Sequence, residues 1–347
     1  MHKFLLHTVV MAIALQIAHV ASAAPPGVKV TSDEAHRRVD ITIDGEPFTS
    51  YVWPTTLKKP TLFPLMAPGQ IEVTRGYPLM PHPGERVDHP HHAGLWFNYG
   101  NVNGFDFWNN SEAIKPEDAA KMGTIQHQKI ITTRSGINNG ELAVQSVWIT
   151  GTKQPLIEQT TSYVFSHMKD ARVIDITIKL HALERAVFKD DKEGLLGMRV
   201  ARWLESSTEK SGIFTDASGR ETKMADMDNS VATGIYLTSE GKRGDAVWST
   251  RGSWCSLTGH TGDKTATVAM FDHEGNPGYP TYWHARGYGL FAANPLGQKI
   301  FDPGAAELNF TIEKGSTAFF HYRVILISHV VSVDRLNREA ADFNTEK

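Results

Sequence analysis

Cysteine is nearly missing from this chain. Cys255 stands alone among 347 residues, so no intramolecular disulfide can form and the fold must hold on its core. A single thiol of this kind reads as a small buried apolar residue rather than a nucleophile. Beyond the first 23 residues no stretch approaches the roughly 18 uninterrupted apolar positions that would cross a bilayer. Neither charge sign dominates: 35 Lys and Arg face 38 Asp and Glu for a net −3, scattered rather than massed, which argues against nucleic acid and anionic membrane as partners. No repeat of 20–50 residues recurs, which argues against a propeller or β-helix. Helical periodicity is scarce, confined to Pro116–Met122 and a polar amphipathic tail from Val333 to Phe343.

What is present begins with a leader. Lys3 supplies a positive start, Phe4 to Val20 is mostly apolar, and Ala21-Ser22-Ala23 fits a small-x-small cleavage pattern, so residues 1–23 read as an export signal. No cysteine follows to accept a lipid. The expected product is an exported protein, periplasmic or secreted, starting at Ala24. Its roughly 320 residues suffice to bury about three quarters of the unfolded surface.

Alternation dominates the rest. Val39–Ile43, Val173–Ile178 and Phe319–Ile325 place apolar side chains two apart, as half-buried strands do. Further strand-like runs are Gly123–Ile131, Glu141–Thr150, Leu156–Phe165, Gly194–Leu204, Gly234–Leu237, Ala246–Leu257, Thr265–Phe271 and Ala306–Ile312, with turn signals at Asn139-Gly140, Pro303-Gly304 and Lys314-Gly315. The pattern predicts an all-β chain with few short helices. It forms a single large antiparallel β-sandwich over residues 24–347, closed by a short C-terminal helix.

Three segments carry unusual chemistry. The first, Asp88-His89-Pro90-His91-His92-Ala93-Gly94-Leu95-Trp96-Phe97, sets three imidazoles beside a carboxylate and two aromatics, and Pro90 makes it a loop rather than a central strand. Imidazoles so placed serve as proton carriers or hydrogen-bond partners of a sugar. A His-x-His pair can equally supply two ligands to a divalent metal, with His284 or His127 as a third, although no regular second ligand pair occurs. The bland reading is that one or two of them only tie down a loop. In the second segment, Asp272-His273-Glu274-Gly275-Asn276-Pro277 through Tyr282-Trp283-His284-Ala285-Arg286, flat rings can stack on a pyranose while Arg286, His284 and Asn294 bond its hydroxyls. Core packing and ordinary Asn-Pro turns are the alternative. The third, Lys189 to Val200, is a charge run and so by default a solvated turn. Yet Glu193 sits at the mouth of an apolar strand, and Arg199 interrupts that strand where it needs a counter-ion.

These segments, together with Asn103-Gly104-Phe105-Asp106-Phe107-Trp108, Gly197-Met198-Arg199-Val200-Ala201, Trp283-His284-Ala285-Arg286-Gly287-Tyr288-Gly289 and Ala293-Asn294-Pro295-Leu296-Gly297, resemble a bacterial domain-of-unknown-function family labelled PmoA or methane-oxygenase-like. The likeness runs from about residue 28 to 330. An oxygenase subunit of membrane-spanning helices does not fit alternating strands, so the resemblance implies a family and not an activity. It also implies an exported setting among sugar-degrading proteins and a supersandwich similar in outline to galactose-mutarotase-like folds. Leu195 and Glu274 depart from the family's usual residues, which disfavours both as catalytic choices.

The leading expectation is an exported carbohydrate-active enzyme of hydrolase, lyase or epimerase type. His91, His92 and Glu193 are its candidate proton carriers, and His89, Trp96, Lys192, Arg199, Trp283, His284, Arg286 and Asn294 its candidate sugar contacts. No cofactor is required by this chemistry, with a divalent metal as the alternative. A two-carboxylate glycosidase would need Asp88, Asp106 or Asp272 brought beside Glu193. The other readings are a non-catalytic carbohydrate-binding sandwich and a His-ligated metal enzyme. All of them require the early and late segments to meet.

Overall fold

The computed structural model describes residues 26–207, 212–215, 221–224 and 229–345; the expected export signal lies outside them. Sixteen strands form two sheets: β1 (Val28–Asp33), β2 (Arg38–Ile43), β3 (Glu46–Val52), β4 (Thr61–Leu62), β5 (Leu95–Tyr99), β6 (Thr124–Arg134), β7 (Asn139–Ile149), β8 (Pro155–Met168), β9 (Ala171–Ala182), β10 (Gly194–Arg199), β11 (Ile235–Thr238), β12 (Trp254–Thr261), β13 (Lys264–Asp272), β14 (Tyr282–Arg286), β15 (Leu290–Asn294) and β16 (Thr317–Ile327). The first sheet has the order β1-β2-β3-β4-β5-β10-β15-β14 and the second β11-β12-β13-β16-β9-β8-β7-β6. Every pairing within them is antiparallel.

Period-two patterning builds both sheets. In β2 and β7 alternate residues are buried, so Val39, Ile41 and Ile43 point one way, as do Leu142, Val144 and Trp148. The buried faces meet: Phe48 of β3 packs edge-on against Phe165 of β8 at 6.0 Å, and Phe97 of β5 touches Trp148 of β7 and Phe320 of β16. One continuous apolar core joins the sheets into the expected all-β sandwich. The second sheet's outer face is closed by the helix Val333–Thr345, whose Leu336, Ala340 and Phe343, four and three residues apart, lie on Trp254, Phe271 and Ile325.

Several boundaries differ from the sequence reading, each because a backbone group finds a partner outside a ladder. The run Ala246–Leu257 opens as a 3-10 turn at Gly244–Val247 and becomes a strand only at Trp254. Ser249 sits at φ +67°, and its N–H is spent on the Trp283 carbonyl. Of Ala306–Ile312 only Phe310–Ile312 is extended, since the Asp190 carboxylate accepts the Leu308 and Asn309 N–H groups. Strand β10 stops at Arg199, before a 3-10 turn at Arg202–Leu204. Asn139-Gly140 opens β7 instead of forming the turn.

The first sheet's other face bears on function. Register aligns Trp96, Gly197, Ala292 and His284 in one row across β5, β10, β15 and β14, and Arg199, Leu290 and Arg286 in the next. Their neighbours Phe97, Leu196, Ala293 and Trp283 point into the common core, so this face looks away from it. Gly197 lets the indoles come close to the row: a Cβ there would stand 2.7 Å from Trp96 and 2.8 Å from Trp108. Gly197→Ala is therefore expected to lose about 1–3 kcal/mol through overpacking, read as a lowered urea midpoint with unchanged slope.

Candidate functional site

The chain between Arg75 and Ala93 folds over this face as a loop, and one side chain holds it there. Arg75 is fully buried, and its guanidinium donates to the carbonyls of Arg86, Asp88, His89 and His92 and to Asp88 Oδ1 at 2.7 Å. Asp88 Oδ1 also accepts from Arg199 Nη2 at 2.7 Å, so the counter-ion that Arg199 needs comes from the imidazole loop. Burial works to raise the Asp88 carboxyl, but the His89 hydrogen bond and the Arg199 and Arg75 charges outweigh it and hold the group well below the usual carboxylate range. Beside this cluster, buried Glu205 pairs with Arg86 at 2.8 Å and Arg202 at 3.1 Å.

Fastened in this way, the loop lays its rings in a stack. His89 lies parallel to His92 at 4.9 Å and to Tyr288 at 5.3 Å, and His92 continues onto Trp96 at 5.3 Å. Tyr288 follows Arg286 by two residues, so the early and late segments meet through it; Arg199 sits 4.9 Å from the same ring. His92 is wholly buried, and its Nε2 faces Trp108 Nε1 at 3.1 Å. An indole N–H only donates, so Nε2 must be the acceptor and the ring neutral. Burial and the neighbouring His91 and Arg199 hold its pKa well below the ordinary imidazole value. His92 therefore supports the loop and is not free to carry protons, which corrects its expected catalytic role. His91, pushed down to about 2 by burial and then by Lys59, is also neutral, but its buried Nε2 has no hydrogen-bond partner.

A second group of residues gathers around Glu193. Its N–H donates to Asp191 Oδ1 and its carbonyl accepts from Gly100 N–H; a Cβ at Gly100 would fall within 2.9 Å of both Glu193 and Asp191. The Glu193 carboxylate pairs with Lys192 and stands 3.9 Å from His284 Nδ1. His284 Nδ1 lies 2.9 Å from the Lys192 carbonyl, which only accepts, so Nδ1 carries the proton and Nε2 holds the free lone pair. Burial, then Lys192 and Arg286, push His284 down to about 3. Tyr288, within electrostatic reach of Glu193 and Arg286, is raised to about 12 by burial and stays a phenol. Arg286 is half-buried 5.5 Å over Trp248 and makes no hydrogen bond or ion pair among the described residues.

The expected site residues thus divide. Trp96, Arg199 and His92 join the buried part of the stack and its ion cluster, with the more exposed His89 between His92 and Tyr288, while Glu193, Lys192, His284 and Arg286 form the rim beside Tyr288. Trp283 instead packs on Phe291 in the core and offers no ring face to a ligand, correcting its place among the sugar contacts. Asn294 is buried too, donating to the Asp191 and Lys192 carbonyls, so it positions the Glu193 turn. Asp106 caps Trp108 and Asn109, and Asp272 binds Asn276 and Thr281. His127 stacks on Trp53, while His89 and His91 meet edge to face; among the described residues no three His, Cys, Asp or Glu converge to hold a metal. Sequence reasoning singled out neither Arg75 nor Lys59 and gave no role to Tyr288 or Trp248.

The chain belongs to a family of unknown function (DUF6807), matched over residues 38–341. None of the curated proteins matches it. Among solved structures it is similar to galactose 1-epimerase from Lactobacillus acidophilus NCFM, at 8% identity and TM-score 0.40, covering 87% of this chain and 98% of that one. A protein of Synechocystis sp. PCC 6803 aligns at 10% identity and TM-score 0.32 over 92% of this chain and 100% of its own. The galactosidase domain of an alpha-galactosidase-sucrose kinase aligns at 9% identity and TM-score 0.37, over 86% of this chain and 41% of its own. Carbohydrate-active enzymes are thus among the structural neighbours.

Removing the shared carboxylate leaves two buried guanidinium groups without their charge partner. Asp88→Asn is expected to cost about 3 kcal/mol in urea unfolding. The depressed Asp88 pKa contributes stability that is complete above the unfolded value near 4 and fades as pH falls below it. Wild-type protein should therefore weaken between about pH 4 and 2 more steeply than Asp88→Asn, and equal slopes would refute the assignment.

Proposed function

We propose that this protein is an exported carbohydrate-active enzyme that transfers protons on a glycoside, keto-sugar or related sugar derivative, with Glu193 as its acid–base carboxylate. The observation that carries this reading is the company Glu193 keeps. A half-buried carboxylate stands beside a neutral imidazole with a fixed tautomer, next to a phenol and an unpaired guanidinium.

Each group has a role in that chemistry. Glu193 gives or takes the proton at the reacting carbon or oxygen, and His284 Nε2, kept unprotonated by the Lys192 carbonyl on its other nitrogen, accepts a hydrogen bond from a substrate hydroxyl. Tyr288 donates a hydrogen bond, and Arg286 holds a substrate oxygen that gains charge. The half-buried rings of Trp248 and Tyr288 offer apolar surface to a pyranose face. Hydrolysis, elimination and epimerisation each need a proton removed and a proton returned, and Glu193 is the rim's group for that transfer. His91 and His92 take no proton in this reading. Export follows from residues 1–23, a segment of leader composition.

Glu193→Gln is expected to lower turnover by roughly 10²–10⁴-fold with its circular dichroism unchanged, measured by product NMR on plant and bacterial glycosides and their 3-keto forms. Arg286→Ala should raise KM more than it lowers kcat. Wild-type rates in Glu193→Gln would remove the assigned role. Sugar binding without any product would make the protein a carbohydrate-binding module.

A further inference from the structure

Lys59 is unused by the rim and unusual for its type, because its side chain is almost wholly buried yet finds no carboxylate. Among the described residues its Nζ meets one acceptor, the His91 carbonyl at 2.5 Å, and the Trp96 ring centre at 5.0 Å. A buried ammonium has three protons to place and a desolvation cost of several kcal/mol to offset. The His91 carbonyl takes one of those protons and the Trp96 ring faces the charge, but no carboxylate pairs with it. Asp106 is within electrostatic reach, but its oxygens accept from the Trp108 and Asn109 N–H groups and the Asn109 amide. Neighbouring Lys58 is paired with Glu112 at 2.5 Å.

Lys59 borders a cavity of about 440 Å³, within the size range of small-molecule sites, which His91, Tyr77, Asn110 and the paired Lys58 and Glu112 also line. His91 brings an unsatisfied group, its Nε2, buried and without a partner. Two polar side chains, each more than nine-tenths buried, therefore border one cavity: a His91 Nε2 without a partner and a Lys59 ammonium with a single carbonyl acceptor and no counter-ion. We infer that this cavity binds the carboxylate of an acidic sugar, one oxygen accepting from Lys59 Nζ and the other from His91 Nε2–H. The inference rests on the carbohydrate reading above and adds to it a subsite for an acidic sugar unit beside the imidazole loop. A neutral hydroxyl could fill the space but not supply the counter-charge.

Binding should be linked to protonation. Burial, opposed by Asp106, sets the Lys59 amine at about 7, so at pH 8 it is mostly neutral, and an arriving carboxylate favours the ammonium. His91 remains neutral throughout, and the Lys58–Glu112 pair is compensated already. Calorimetric titration of the full protein with D-glucuronate and with D-glucose, at pH 8 in two buffers of different protonation heat, tests the point. Glucuronate is expected to bind at least tenfold tighter than glucose and to take up roughly one proton, falling toward none at pH 6. Lys59→Met should lose both the preference and the uptake. Its fold should survive the exchange of a buried charge for an apolar chain of similar length; Lys59→Gln provides the same readout if it does not. Equal affinity for the two sugars, or a preference that persists without Lys59, would overturn the acidic subsite while leaving turnover of neutral glycosides intact. Absence of binding and turnover with every sugar would overturn the carbohydrate reading itself.

Discussion

The Arg75 guanidinium is the constraint from which the site's shape follows. A buried charge costs several kcal/mol in desolvation, and Arg75 offsets that with four loop carbonyls and the Asp88 carboxylate. Those carbonyls belong to Arg86, Asp88, His89 and His92, so the loop takes the path that brings them to one point. Asp88 then bridges to Arg199 on β10, tying the loop to the sheet. The stack of His89, His92, Trp96 and Tyr288 is a consequence: once the loop is pinned, its rings have only the flat face over Gly197 and Ala292 on which to pack.

Much of the fold was legible because alternation is a direct print of a half-buried strand. Strands such as β2 and β7 show it residue by residue, and the tail helix was visible from its spacing. Two features of the site were legible as well. Arg199 within an apolar strand required a counter-ion, and the late segment next to Arg286 does meet the imidazole loop, through Tyr288.

Other features were hidden for physical reasons. Strand β14 reads Tyr-Trp-His-Ala-Arg, an alternation that puts Trp283 and Ala285 on one face and His284 and Arg286 on the other but does not say which face turns to the core. That depends on register with β15, and a slip of one residue would exchange them. Arg75 and Lys59 sit in plain loop sequence, and their partners are backbone carbonyls that come together only in the folded chain. Strength of a motif was also a poor guide to role: of the three clustered imidazoles, His92 has its lone pair committed to Trp108 and serves packing.

Burial also divides the charges of this site into two layers. Burial first, and then the nearby Lys59 and Arg199 cations, hold His91 and His92 neutral. Charge that takes part in a reaction is better placed where solvent or substrate can compensate it, and the partly exposed Glu193, Lys192 and Arg286 lie there. The deep layer, in which the Arg75 and Arg199 guanidinium groups are held through their terminal nitrogens by loop carbonyls and Asp88, has little reason to rearrange. It can hold Tyr288 in place, and Asn294 likewise fixes the turn that carries Glu193. A rigid support under a titratable rim is the arrangement that proton transfer to a positioned substrate requires, since misplacement of either partner by an ångström costs orders of magnitude in rate.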